Sequence, residues 1–69
     1  MRQIIIHEAE EGGYWVECPS LPGCVSEGET YTETLANIKE AIQLYIESLA
    51  ARGLPVPEET FDRVVVIDV

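Results

Sequence analysis

Positive charge is scarce in this chain. Four Lys and Arg stand against thirteen Asp and Glu, for a formal net charge of -9 at pH 7. Such a field repels phosphate, so free nucleic acid is disfavoured as a direct ligand and a basic protein is the expected one. Histidine is scarcer still. With His7 alone and two cysteines, Cys18 and Cys24, a tetrahedral zinc site would have to be completed by carboxylates. No metal and no other cofactor is expected, and the two thiols read as buried or turn-flanking groups. Also missing is any run near the roughly 20 apolar residues that span a bilayer. The N-terminus lacks the charged-then-apolar pattern of a signal peptide, so a cytoplasmic location with reduced thiols is expected.

Length sets a further limit. Sixty-nine residues hold no material for a second hydrophobic core, so a single domain over residues 1–69 is expected. A chain this short buries only about 60% of the surface that its unfolded form exposes, which makes self-association an expected supplement to its stability. Its apolar fraction of 46% is nonetheless that of a folding sequence, not a disordered one.

The chain then reads in order. Gln3 to Glu8 carries the β-branched run Ile4-Ile5-Ile6, a strand buried on both faces and central in its sheet. Gly12-Gly13 supplies the positive φ angles of a tight reversal, with Glu10 and Glu11 inside the turn. From Tyr14 to Cys18, alternation sets Tyr14, Val16 and Cys18 on one face and Trp15 and Glu17 on the other. Pro22-Gly23 suits the centre of a type II turn. Cys24 to Glu29 returns as a third strand that Gly28 marks as bulged or ending.

Thr30 and Glu33 form a Thr-x-x-Glu capping box at the start of a helix running from Tyr31 to Ala51. Leu35, Ile38, Ile42, Tyr45, Ile46 and Leu49 recur at helical spacing, with Glu33, Glu40, Gln43 and Glu47 opposite them. Arg52, Gly53 and Pro55 close the helix, and Leu54 to Pro57 is a stiff connector ahead of a polar turn at Glu58-Glu59-Thr60. Arg63 to Val69 is a second continuous apolar strand. The fold class is therefore α+β in the order β-β-β-α-β, an antiparallel meander with one long helix packed on the sheet. A right-handed crossover makes the last strand parallel to the first.

The run from Tyr14 to Thr30, with Cys18-Pro19-Ser20-Leu21-Pro22-Gly23-Cys24 at its centre, resembles the signature of the HicB antitoxin family. The likeness continues through Glu33, Leu35, Asn37, Ile38, Glu40, Ala41 and Ile42 and out through Gly53, Pro55 and Pro57. This resemblance implies a truncated ribonuclease H-like fold and a homodimer or larger homo-oligomer. It also implies, as partner, a small basic HicA-like toxin that cleaves messenger RNA. On that expectation the chain is no enzyme, and neutralises the toxin by covering its RNA-binding and catalytic face.

Glu10, Glu11, Glu27 and Glu29 are the candidates to meet basic side chains, with Trp15 as an aromatic anchor and solvated charge or core packing as the bland alternatives. Many relatives carry a DNA-binding tail, whereas this sequence stops at Val69, so direct DNA binding is not expected of it alone. A short family member, a solitary protein-binding module without a toxin, and a chain lacking its tail all remain open. The rival class is a metal-dependent nuclease, in which Glu8 and Asp68 would meet at the ends of the parallel strands with His7 close by.

Overall fold

The computed structural model describes residues 2–58 and, as backbone, residues 65–67. Strands β1 (Ile5–Glu8), β2 (Tyr14–Glu17) and β3 (Val25–Gly28) form the expected antiparallel meander, followed by helix α1 (Tyr31–Ala51). Backbone at Val65–Ile67, β4, pairs parallel to β1, and the sheet order is β3-β2-β1-β4. β1 is thus interior to the sheet. The rest of the apolar run, at residues 63, 64, 68 and 69, lies outside the described residues, as does most of the polar turn.

β1 begins at Ile5 and not at Gln3. Its partner strand ends at Glu17: Cys18 N–H still bonds to the Cys24 carbonyl on the β3 side, but Pro19, the next residue on the β1 side, has no N–H to offer a ladder. Ile4 and Ile6 point to the helix side and are buried, as are Val16, Cys18, Leu21, Cys24 and Ile38. The opposite face is covered by no described helix, and there Ile5 is only half-buried, so β1 is not buried alike on both faces.

The hairpin between β1 and β2 closes with Gly12 N–H on the Ala9 carbonyl at 3.1 Å, and both Gly12 and Gly13 have positive φ. The loop between β2 and β3 consists of two successive turns, in which Leu21 N–H bonds to the Cys18 carbonyl and Cys24 N–H to the Leu21 carbonyl, both at 3.0 Å. Pro22 and Gly23 occupy the centre of the second turn. Gly23 at φ 81° has the left-handed conformation that a type II turn demands of its third residue. Two side chains hold this loop down. Tyr45 Oη donates to the Pro22 carbonyl at 2.7 Å, and Arg2 bonds both Ser20 Oγ and the Pro57 carbonyl.

α1 starts where the sequence places it. Thr30 Oγ1 accepts from the Glu33 amide at 3.0 Å, and the far end closes with Gly53 N–H on Ala50 and Leu54 N–H on Leu49, a Schellman arrangement. Glu33, Glu40, Gln43 and Glu47 are exposed as expected. Thr34 is an addition to the core: it is fully buried, and its hydroxyl donates back to the Thr30 carbonyl at 2.7 Å.

The helix backbone packs over β3 and β2 and does not reach across to β1. Gly28 explains how it comes so close to β3. A Cβ at Gly28 would stand 2.7 Å from Thr34 Oγ1 and 2.8 Å from Thr34 N, so only glycine lets the first helical turn dock on the strand. The strand ends at this residue, and the cause is contact with the helix, not a bulge.

Candidate functional site

Alternation along β1 and β2 puts His7, Trp15 and Glu17 on the sheet face away from α1. Register makes the first two neighbours, since His7 lies opposite Trp15. Their rings stack at a centroid distance of 3.8 Å and an interplanar angle of 8°. Across the strand His7 Nε2 lies 2.9 Å from Glu17 Oε2. A carboxylate accepts, so Nε2 carries the proton of this bond, while Nδ1 is buried without a hydrogen-bond partner. A residue with these contacts is a fixed backing plate. It occupies one face of the Trp15 indole and leaves the side chain 38% exposed, so Trp15 is not a core residue. Tyr14 takes the core side instead, half-buried and edge-on to Tyr31 at 6.2 Å.

Glu27 on β3 is the register partner of Trp15. The end of the sheet, the β1–β2 hairpin and the first turns of α1 enclose a groove of about 590 Å³ whose lining includes Trp15, Glu27, Glu29, Glu33 and Asn37. Asn37 Nδ2 donates to the Glu27 carbonyl at 2.7 Å and ties the helix to this rim. Three acidic residues that share a groove with one exposed indole make a surface suited to guanidinium and ammonium groups, because an aromatic face and negative charge attract the same ligand.

Of the residues singled out in the sequence, Trp15, Glu27 and Glu29 therefore come together. Glu10 and Glu11 do not line the groove; they stand exposed in the neighbouring turn. Glu33 joins the site although its sequence signal was that of a capping residue. Pairing between His7 and Trp15 needed the register of two strands, which periodicity alone does not supply.

The nuclease constellation is not assembled among the described residues. Glu8 follows His7 on the strand and so points to the opposite face, His7 is engaged by Trp15 and Glu17, and Asp68 lies outside the described residues. No group of three or more His, Cys, Asp or Glu able to hold a metal ion occurs among the described residues. Nor is any helix among them long and apolar enough to cross a membrane. Both cysteines are free and buried. Burial pushes the Cys24 thiol above its ordinary pKa, nearby Cys18 adds to this, and Arg2 opposes it.

Comparison with known proteins gives concordant matches. A family model described as the HicB_like antitoxin of bacterial toxin-antitoxin system matches residues 3–65. A UPF0150 protein of Synechocystis sp. is 50% identical over 56 residues, covering 81% of this chain and 71% of the relative. A second UPF0150 protein, from Thermoplasma acidophilum, is 44% identical over 63 residues and 91% of each chain. Among solved structures, a chain of a HicA3 and HicB3 toxin-antitoxin complex superimposes with a TM-score of 0.70 at 32% identity, covering 83% of this chain. The chain spans 65% of the length of that solved chain.

Proposed function

Because the chain belongs to the HicB-like antitoxin family, we propose that it binds and neutralises a small basic HicA-like toxin that cleaves messenger RNA. The observation that carries this reading is its likeness to a chain of a solved toxin–antitoxin complex. Chemistry supports it. A face built from Trp15, Glu27, Glu29 and Glu33 mimics the negative charge of RNA while offering no phosphodiester to cleave. Seated on the toxin, it would cover the RNA-binding surface and the catalytic residue together. Inhibition is then a matter of exclusion, with no reaction carried out by this chain.

Glu10 and Glu11 widen the acidic field from the adjoining turn and steer the encounter more than they hold the complex. In this proposal the sheet is read as a truncated ribonuclease H-like one, the protein works in the cytoplasm, and it forms a homodimer or larger assembly by extending the sheet at an edge strand.

The test is to mix the chain with a small basic protein encoded beside it and to measure affinity at low and moderate salt together with RNA cleavage by that partner. Binding that weakens with salt and abolishes cleavage is the expected result. Absence of binding at both salt concentrations would remove the proposal for that pair.

A further inference from the structure

α1 sits over β3 and β2, and on its other flank Ile38 is buried in the core while Leu35, Ile42 and Ile46 pack against it only partly buried. Between that flank and the N-terminal end of β1 runs a groove of about 600 Å³, on the opposite side of α1 from Glu33 and Asn37 of the acidic groove. Leu35, Ile38, Ile42 and Ile46 form its wall and Ile4 closes it from the sheet side. Tyr31 stands at one end, 43% exposed. At a rise of about 1.5 Å per residue, the stretch from Tyr31 to Ile46 is about 22 Å long.

The charged groups among the described lining residues of this groove are both cations. Arg2 and Lys39 line it, two of the four Lys and Arg in a chain of net charge -9, and no Asp or Glu among the described residues lines it. Neither has a carboxylate within ion-pairing distance among the described residues. Among the described residues the Arg2 guanidinium bonds only the neutral oxygens of Ser20 and Pro57. Lys39 is exposed. Two cations at the mouth of an aliphatic cleft, with no described carboxylate paired to either, present a surface complementary to an anion with an apolar body.

Size and charge select among occupants. A four-turn helix of a partner, a cylinder about 10 Å across and 22 Å long, fills on the order of 1,700 Å³, so only one face of it would enter the groove. A second copy seated here by two-fold symmetry would bring its own Arg2 and Lys39 into the same seam, four cations with no described carboxylate lining it. A groove of this volume is of the size that buries a small apolar ligand fixed by a few polar groups.

We propose that this groove binds a single-chain anionic amphiphile, a long-chain carboxylate whose alkyl tail lies along Leu35, Ile38, Ile42 and Ile46 and whose head group pairs with Lys39 and Arg2. The site is separate from the toxin-facing surface, and the proposal stands or falls independently of it.

The test uses the full chain and dodecanoate below its micelle concentration, with dodecyltrimethylammonium as the matched cationic probe. Calorimetry should show saturable binding of dodecanoate, at least tenfold tighter than that of the cationic probe. Backbone amide shifts should centre on Ile4, Leu35, Lys39 and Ile42, and Lys39→Glu should weaken binding at least tenfold without changing the melting temperature. The proposal is overturned by the absence of saturable binding, by equal binding of the two probes, or by shifts centred on Trp15. It is equally overturned if sedimentation shows a dimer closed over the groove that Ile42→Glu dissociates.

Discussion

Replacing Gly28 with alanine isolates the contact on which the helix–sheet junction depends. Its φ lies outside the left-handed region, so the backbone itself accepts an ordinary residue. In an open strand the change would stabilise the chain by roughly 0.5–1 kcal/mol through lost freedom of the unfolded state. In this protein the sign reverses. The new methyl would meet Thr34 Oγ1 at 2.7 Å, Thr34 N at 2.8 Å and Thr34 Cα at 3.0 Å, and two of these atoms are backbone that no rotamer change can move.

The first turn of α1 must therefore lift from β3. Overpacking of this kind costs about 1–3 kcal/mol, and strain on the bond from Asn37 to the Glu27 carbonyl adds about 1 kcal/mol if that bond is lost. We expect a loss of about 2–4 kcal/mol. For a domain of this size that corresponds to a fall in melting temperature of roughly 8–32 °C, at about 4–8 °C per kcal/mol.

Thermal unfolding followed by circular dichroism reads the effect directly. Gly28→Ala combined with Thr34→Ala serves as the diagnostic control: removing the hydroxyl leaves N and Cα in place, so it should not rescue stability. A Gly28→Ala protein that melts at or above the parent temperature would refute the steric argument.

Three further outcomes are expected. Trp15→Ala should weaken binding of the proposed toxin partner by about 2 kcal/mol, or roughly thirtyfold, as loss of an anchoring aromatic does; Trp15→Phe should retain most of it, and equal affinities for all three proteins in a titration would count against the proposed face. Tyr45→Phe should cost about 1 kcal/mol of stability in urea denaturation by removing the bond to the Pro22 carbonyl, and an unchanged midpoint would show that the loop holds itself. Alkaline pH should destabilise the fold through Cys24, whose thiol is raised by burial. The unfolded thiol ionises from about pH 8.5, so above that pH the unfolded chain binds fewer protons than the folded one. The thiol's contribution is complete below that pH and is lost as pH rises through the folded value. Cys24→Ala should flatten this decline, and parallel stability curves for the two proteins between neutral pH and pH 10 would sink the assignment.

Signals carried by neighbouring residues were readable in the sequence. Thr30 with Glu33, the Pro22-Gly23 turn and the Arg52-Gly53-Leu54 exit each depend on chemistry within a few residues, and each lies where the sequence puts it. Alternation in β2 likewise separated Tyr14 from Trp15, leaving open which of the two was exposed. What escaped were contacts that need two elements at once. Gly28 signals only a weak strand until Thr34 lies against it, and Thr34 itself looks like a polar helix residue. His7 read as a neighbour of Glu8, but the register of β1 on β2 joins it to Trp15 and Glu17. Glu10 and Glu11 carry the same charge as Glu27 and Glu29, and only the path of the hairpin sets them apart from the groove.

The bond from Asn37 to the Glu27 carbonyl also bears on solubility. β3 is an outer strand of the sheet. The hydrogen-bonded pairing of Cys18 with Cys24 turns the main-chain groups of Val25 and Glu27 outward by alternation. Rows of this kind are templates for cross-β growth, in which one molecule's edge recruits the next. A helix side chain that already occupies one of the outward carbonyls interrupts the row in its middle. An incoming strand would have to displace it before pairing in register. The β3 edge is thus closed to uninterrupted pairing with another copy, and any extension of the sheet falls to β4 at its other edge.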